Sequence, residues 1–82
     1  MAVYEFNPMY VAHHAKAITP SDTTVLDLIG IYVGTGGNVA LVLDGDASAV
    51  TFTNVAAGSV LAFGISKVMS TGTTASGIVG LR

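Results

Sequence analysis

His13 and His14 are the only imidazoles in the chain, and they stand side by side. Imidazole holds zinc well and moves protons near neutral pH. Adjacent side chains point different ways in any regular backbone, however, so the pair cannot close a metal site by itself. Glu5 or Asp22 would have to be brought in by folding, or a ligand supplied by a second copy. Asp44-Gly45-Asp46 offers two carboxylates at a turn, whereas calcium takes six or more oxygens. That segment is read as a turn held by side-chain-to-backbone bonds. Gly34-Thr35-Gly36-Gly37 has the glycines of a phosphate loop but lacks the Lys-Ser/Thr and the helix that a phosphate needs. It is read as a hairpin loop. Ser21 has no base placed beside it, so nothing makes it a nucleophile. No catalytic residue, cofactor or metal is therefore expected, and His13 and His14 are assigned ordinary polar contacts.

The elements that position these residues are short and β-like. Leu28 to Val33 is β-branched and aromatic, and Asn38 to Leu43 follows the glycines with Val39, Leu41 and Leu43 on one face. Val50-Thr51-Phe52-Thr53 alternates, which turns Val50 and Phe52 inward. Asn54 to Gly58 reads as a tight connection. Ser59 to Met69 makes one bent strand or two short ones, with Leu61, Phe63 and Ile65 on one face and Val60, Ala62, Gly64 and Ser66 on the other. Gly64 is a bulge position. Ile78 to Leu81 is the last strand, and Thr23 to Leu26 a short opening one. Tyr32, Phe52 and Phe63 lie in these runs, where core packing is the default. Only Tyr10 to Ala17, which is Ala-rich, has any helical character. Strands spaced about ten residues apart predict an all-β fold, a small antiparallel β-sandwich or barrel.

Composition changes near Pro20. Residues 1–19 contain no glycine, two of the three tyrosines and both histidines. They are read as an extended N-terminal arm, and residues 20–82 as the compact β domain. Tyr4, Phe6, Met9 and Tyr10 are large side chains on a segment with no core of its own. They are candidate partner contacts, with packing against the arm's own domain as the alternative.

The whole chain has 82 residues, of which 51% are hydrophobic and only 10% charged; its mean hydropathy is +0.69. A soluble domain usually carries about 25% charged residues. A core this small needs a staple, and without cysteine that staple is self-association. No run approaches the 18 or so apolar residues of a spanning helix, and no basic-then-apolar leader opens the chain, so no membrane partner is expected. Lys16, Lys67 and Arg82 with a net charge of −2 are too sparse to track nucleic acid. Small residues such as Ala40, Ala62, Gly64, Ser66 and Gly80 on outer faces, and edges guarded by little besides Lys67, point to covered flanks. Leu81 is expected to be held in a sheet and to contact a partner. The uncharged loop Ser70-Thr71-Gly72-Thr73-Thr74 is expected to be surrounded by neighbouring chains.

Four segments in order carry a resemblance: Ile18-Thr19-Pro20-Ser21-Asp22-Thr23, Ile31 to Val39, Val50 to Gly58, and Val68 to Ala75. Together they resemble the head spike base proteins of tailed bacteriophages and gene transfer agents, from about Ile18 to Leu81. The resemblance implies a virion structural protein without catalytic residues, on the outer surface of the phage head. It implies a homo-oligomeric ring, a pentamer with a trimer as the other possibility, bound to the major capsid protein and to a spike or fibre protein. A capsid decoration (cement) protein or a tail component fits the same residues. A small carbohydrate-binding module is the alternative of another class.

Overall fold

The computed structural model describes residues 12–82. Seven strands form among them: β1 (Ala15–Ala17), β2 (Gly30–Thr35), β3 (Gly37–Leu43), β4 (Val50–Val55), β5 (Ser59–Leu61), β6 (Ile65–Val68) and β7 (Ser76–Leu81). They build two sheets, one in the order β1-β7-β2-β5 and the other β4-β3-β6, and every pairing is antiparallel. The sheets face each other across Ile31, Val33 and Ile78 from the first and Val39, Leu41, Ile65 and Val68 from the second, with Leu28 and Ala75 completing the core. The all-β sandwich expected from the alternation is what forms.

Period-two patterning reads these inner faces correctly, because each inward side chain loses its water only when its neighbours at i±2 do. Leu61 and Phe63 pack against the core and Ile65 is fully buried, while Val60 is exposed. Phe63 stacks on Phe52 of β4, with ring centroids 5.3 Å apart. Ser59 to Met69 resolves into two strands in different sheets, and Gly64 lies in the crossover between them. A Cβ on Gly64 would fall 2.6 Å from the Asp44 Oδ2 atom.

Several expectations are corrected. Gly34-Thr35-Gly36-Gly37 is not a hairpin: β2 pairs with β5 and β7, and the glycines carry the chain from one sheet to the other. The hand-over is cramped. A Cβ at Gly36 would stand 2.7 Å from the Val55 carbonyl oxygen, so backbone would have to move to admit a side chain. Residues 23–26 form no strand; Leu26 N–H donates to the Ser66 carbonyl and Leu28 bridges Ile65 in both directions, so this segment runs along the edge of β6. That edge is thereby shielded from other strands within the chain itself. Val50 lies at the solvent end of β4 and is 54% exposed. Ala15–Ala17 is extended, and its pairing with β7 starts the first sheet ahead of Pro20.

Two supposed outer positions are also inside. Gly80 faces the core, where Ile18 and Leu28 close to 2.9 Å of the place a Cβ would take. Ala40 is only 2% exposed because Gly72, at φ 89°, lies over it.

The hydroxyl loop has an internal reason for its composition. β6 stops at Val68 while β3 runs on, so the Asn38 and Ala40 backbone groups on that side have no strand to meet. The loop replaces one. Met69 N–H donates to the Ala40 carbonyl at 2.9 Å, and Thr74 and Ala75 N–H donate to the Asn38 carbonyl at 2.8 and 3.1 Å. In return the Thr73 hydroxyl accepts from Ala40 N–H at 3.0 Å and the Thr74 hydroxyl from Asn38 N–H at 2.9 Å. Hydroxyls stand in for the missing carbonyls, which satisfies β3 without any charge.

The polar corner after Pro20 locks the start of that loop. The Ser21 hydroxyl makes the local turn, accepting from Thr24 N–H at 3.3 Å. Asp22 reaches across to accept from Ser70 N–H at 2.8 Å, Thr71 N–H at 2.9 Å and the Thr71 hydroxyl. The Thr71 hydroxyl, then the Thr71 and Ser70 amides, hold the Asp22 carboxyl below its ordinary value of 3.8. A depressed folded value means that this tie is present above the unfolded value and lost as pH falls through the folded one. The Ser70 and Thr71 amide resonances should therefore titrate together with a midpoint below 3.8, and Asp22→Asn should abolish that transition; a midpoint at or above the ordinary value would break the assignment.

Candidate assembly surface

No charged residue occurs in β2, β5 or β7, and those strands form three quarters of one sheet. Their outward side chains line up through the register. Val60 is opposite Tyr32, Tyr32 is opposite Val79, and Val79 is opposite Ala17, so one apolar row crosses β5-β2-β7-β1. Leu81 continues it, paired with Ala15. Val60 is 59% and Tyr32 41% exposed, and Val79 and Leu81 are half-buried. Further along, Gly34 and Gly77 face each other so closely that a Cβ on Gly34 would sit 2.8 Å from the Gly77 oxygen. The result is a surface without charge on β2, β5 or β7. Water gains nothing there, and an apolar partner does.

Beside it lies a cleft of about 390 Å³ at the β1 end of the sandwich. Ile18, Leu26, Leu28 and Val25 supply its apolar lining, and Lys16, Arg82, His14 and Asp27 its polar rim. Val25 is 72% exposed.

Of the side chains singled out from the sequence, Leu81 lies within this region: it is bound on both sides in the sheet and half-buried on the outer face. Tyr4, Phe6, Met9 and Tyr10 lie outside the described residues. His13 and His14 are exposed, and both backbone amides donate to the Arg82 carbonyl. Among the described residues no three His, Cys, Asp or Glu side chains gather to hold a metal. Asp44-Gly45-Asp46 is closed by its backbone, Asp46 N–H donating to the Leu43 carbonyl at 2.9 Å.

Tyr32 was missed as a surface residue. Its run is apolar at both parities, so the sequence does not say which side faces inward. The available signal was the reverse one: apolar on both faces and uncharged throughout means that both faces are covered.

No family model and no curated protein matches the chain. A solved structure does. It is a chain of the "Capsid of native GTA particle computed with C5 symmetry", 34% identical over 96% of this chain and 93% of that one, with a TM-score of 0.79. The chain belongs to the capsid-associated proteins of gene transfer agents and phages. As a capsid-associated protein it is a virion structural component, and its uncharged sheet face is understandable. A subunit of a particle lives among other subunits, and apolar area left on its flank is area for contact. The chemistry-bearing residues considered first are scattered over this capsid-associated protein rather than converging on one point, whereas its apolar side chains do converge.

Proposed function

We propose that this protein is a head spike base: a non-enzymatic ring of five copies on the outside of the capsid, seated on the major capsid protein and carrying a spike or fibre. The observation that carries this reading is the extensive match to a chain of a gene transfer agent capsid computed with C5 symmetry, joined to the resemblance of four turn segments to those of spike base proteins. The uncharged face around Tyr32 and Val60 supplies a surface on which copies meet. Stable interfaces commonly bury about 800 Å² per partner. A sugar-binding module is disfavoured by the same face, because Tyr32 is flanked across the sheet by Val60 and Val79 rather than by polar groups that could bond hydroxyls.

Cryo-electron microscopy of the assembled particle tests the role. The proposal expects five copies of this fold around each occupied fivefold vertex, beneath an appendage. Density between capsid subunits with nothing mounted on it makes the chain a cement protein instead, and density in the tail makes it a tail component.

A further inference from the structure

We infer that the cleft between β1 and residues 25–28 receives the N-terminal segment, residues 1–11, of an adjacent copy. The inference rests on the ring reading and names the contact that would close it. Three features of the molecule support it.

The cleft is apolar where it is deep. Ile18, Leu26 and Leu28 line it, and Val25 stands at its mouth with most of its surface in water. Gly80 contributes depth, because any side chain there would collide with Ile18 and Leu28. An extended segment reading Val3-Tyr4-Glu5-Phe6 offers the complementary pattern. Tyr4 and Phe6 fall on one side and Glu5 on the other. Glu5 is also the one charged side chain among residues 1–11, and Lys16 and Arg82, two of the chain's three Lys and Arg residues, stand at the rim with Asp27 and His14.

The second feature is where the chain enters the sheet. β1 is antiparallel to β7, and the His13 and His14 amides are tied to the Arg82 carbonyl at the end of the sheet. To put Tyr4 and Phe6 in its own cleft, the preceding segment would have to reverse within Tyr10-Val11-Ala12-His13-His14, because a turn at Asn7-Pro8, about 20 Å out along an extended chain, would bring them only partway back. Tyr10 to His14 has no Gly, Pro, Asn, Asp or Ser, the residues that make tight turns. Continuing outward costs nothing, and about 11 extended residues reach roughly 36 Å, enough to span to a neighbour.

The third feature is symmetry. A segment passed in one direction from each copy to the next is a head-to-tail contact, which closes into a ring where the rotation allows, whereas a reciprocal exchange between two copies would make a two-fold dimer. The apolar sheet face alone specifies no such direction.

Cysteine pairing tests the contact, because the chain has no cysteine of its own. Full-length Phe6→Cys and Val25→Cys chains are co-expressed and oxidised under mild conditions. A disulfide-linked dimer containing one chain of each kind is the expected product. Val25→Glu should weaken the assembled ring by roughly tenfold or more, since it places a carboxylate against the apolar Phe6 side chain while changing only an exposed position. An oligomer that stays intact by native mass spectrometry but forms no mixed dimer overturns the cleft contact and leaves the ring standing. A chain carrying both cysteines that forms the bond within itself also overturns it, because the segment then covers its own cleft. A monomer at every concentration overturns contact and ring together.

Discussion

Tyr32→Glu should leave the subunit folded and weaken its assembly by at least about 100-fold, or roughly 2.7 kcal/mol. Tyr32 is 41% exposed, and its neighbours across the sheet, Val60 and Val79, are joined to it through backbone pairing that a change of side chain does not touch. The isolated subunit therefore loses little. In an assembly the same position carries the largest side chain of the uncharged face, and buried tyrosines are frequent anchors of interfaces, worth about 2 kcal/mol or more. A carboxylate in its place would also have to be stripped of water with no cation on β2, β5 or β7 to receive it; that adds to the loss. Native mass spectrometry gives the oligomer and circular dichroism the fold. An oligomer that forms at unchanged concentration would remove this face from the interface.

Thr73→Val should lower stability by about 1–3 kcal/mol, the usual cost of leaving a buried donor without a partner. The donor is Ala40 N–H on the central strand β3, which in the native protein bonds the Thr73 hydroxyl at 3.0 Å. Valine keeps the branched shape and removes the oxygen. For a domain of this size each kcal/mol moves the melting temperature by about 4–8 °C, so the effect is easily read in a thermal melt. Thr71→Val is the useful comparison, because the Thr71 hydroxyl reaches only the exposed Asp22 carboxylate and should matter far less at neutral pH. Equal effects of the two substitutions would refute the idea that the loop substitutes for a strand.

Local alternation was enough to place β3, β4 and β7 within a residue or two and to pick Val39, Leu41 and Ile65 as core. What it could not supply was the partner of each strand. The glycines after β2 look like a hairpin in any local reading, since positive φ and absent side chains suit a reversal. They serve equally well where a chain squeezes from one sheet to the other, and only the packing of Gly36 against Val55 distinguishes the two. β1 was illegible for another reason. Ala-Lys-Ala has little strand preference, and it is extended because β7 offers it a hydrogen-bonding edge. The candidate surface was half legible. Leu81 could be named because an apolar run after a polar loop implies a strand held in a sheet, while Tyr32 and Val60 needed the register that sets them side by side.

The insertion of β7 between β1 and β2 bears on how the protein is made. Because the strand latest in the sequence occupies an interior place, the earlier strands wait for it, and the first sheet cannot close during translation until that strand leaves the ribosome. Pairing partners so distant along the chain are slow to find one another, which leaves a greasy nascent chain exposed meanwhile. The same delay acts as a filter. A chain cut before Ser76 lacks the strand that organises both the outer wall and Leu81, and so presents no surface fit to join a particle.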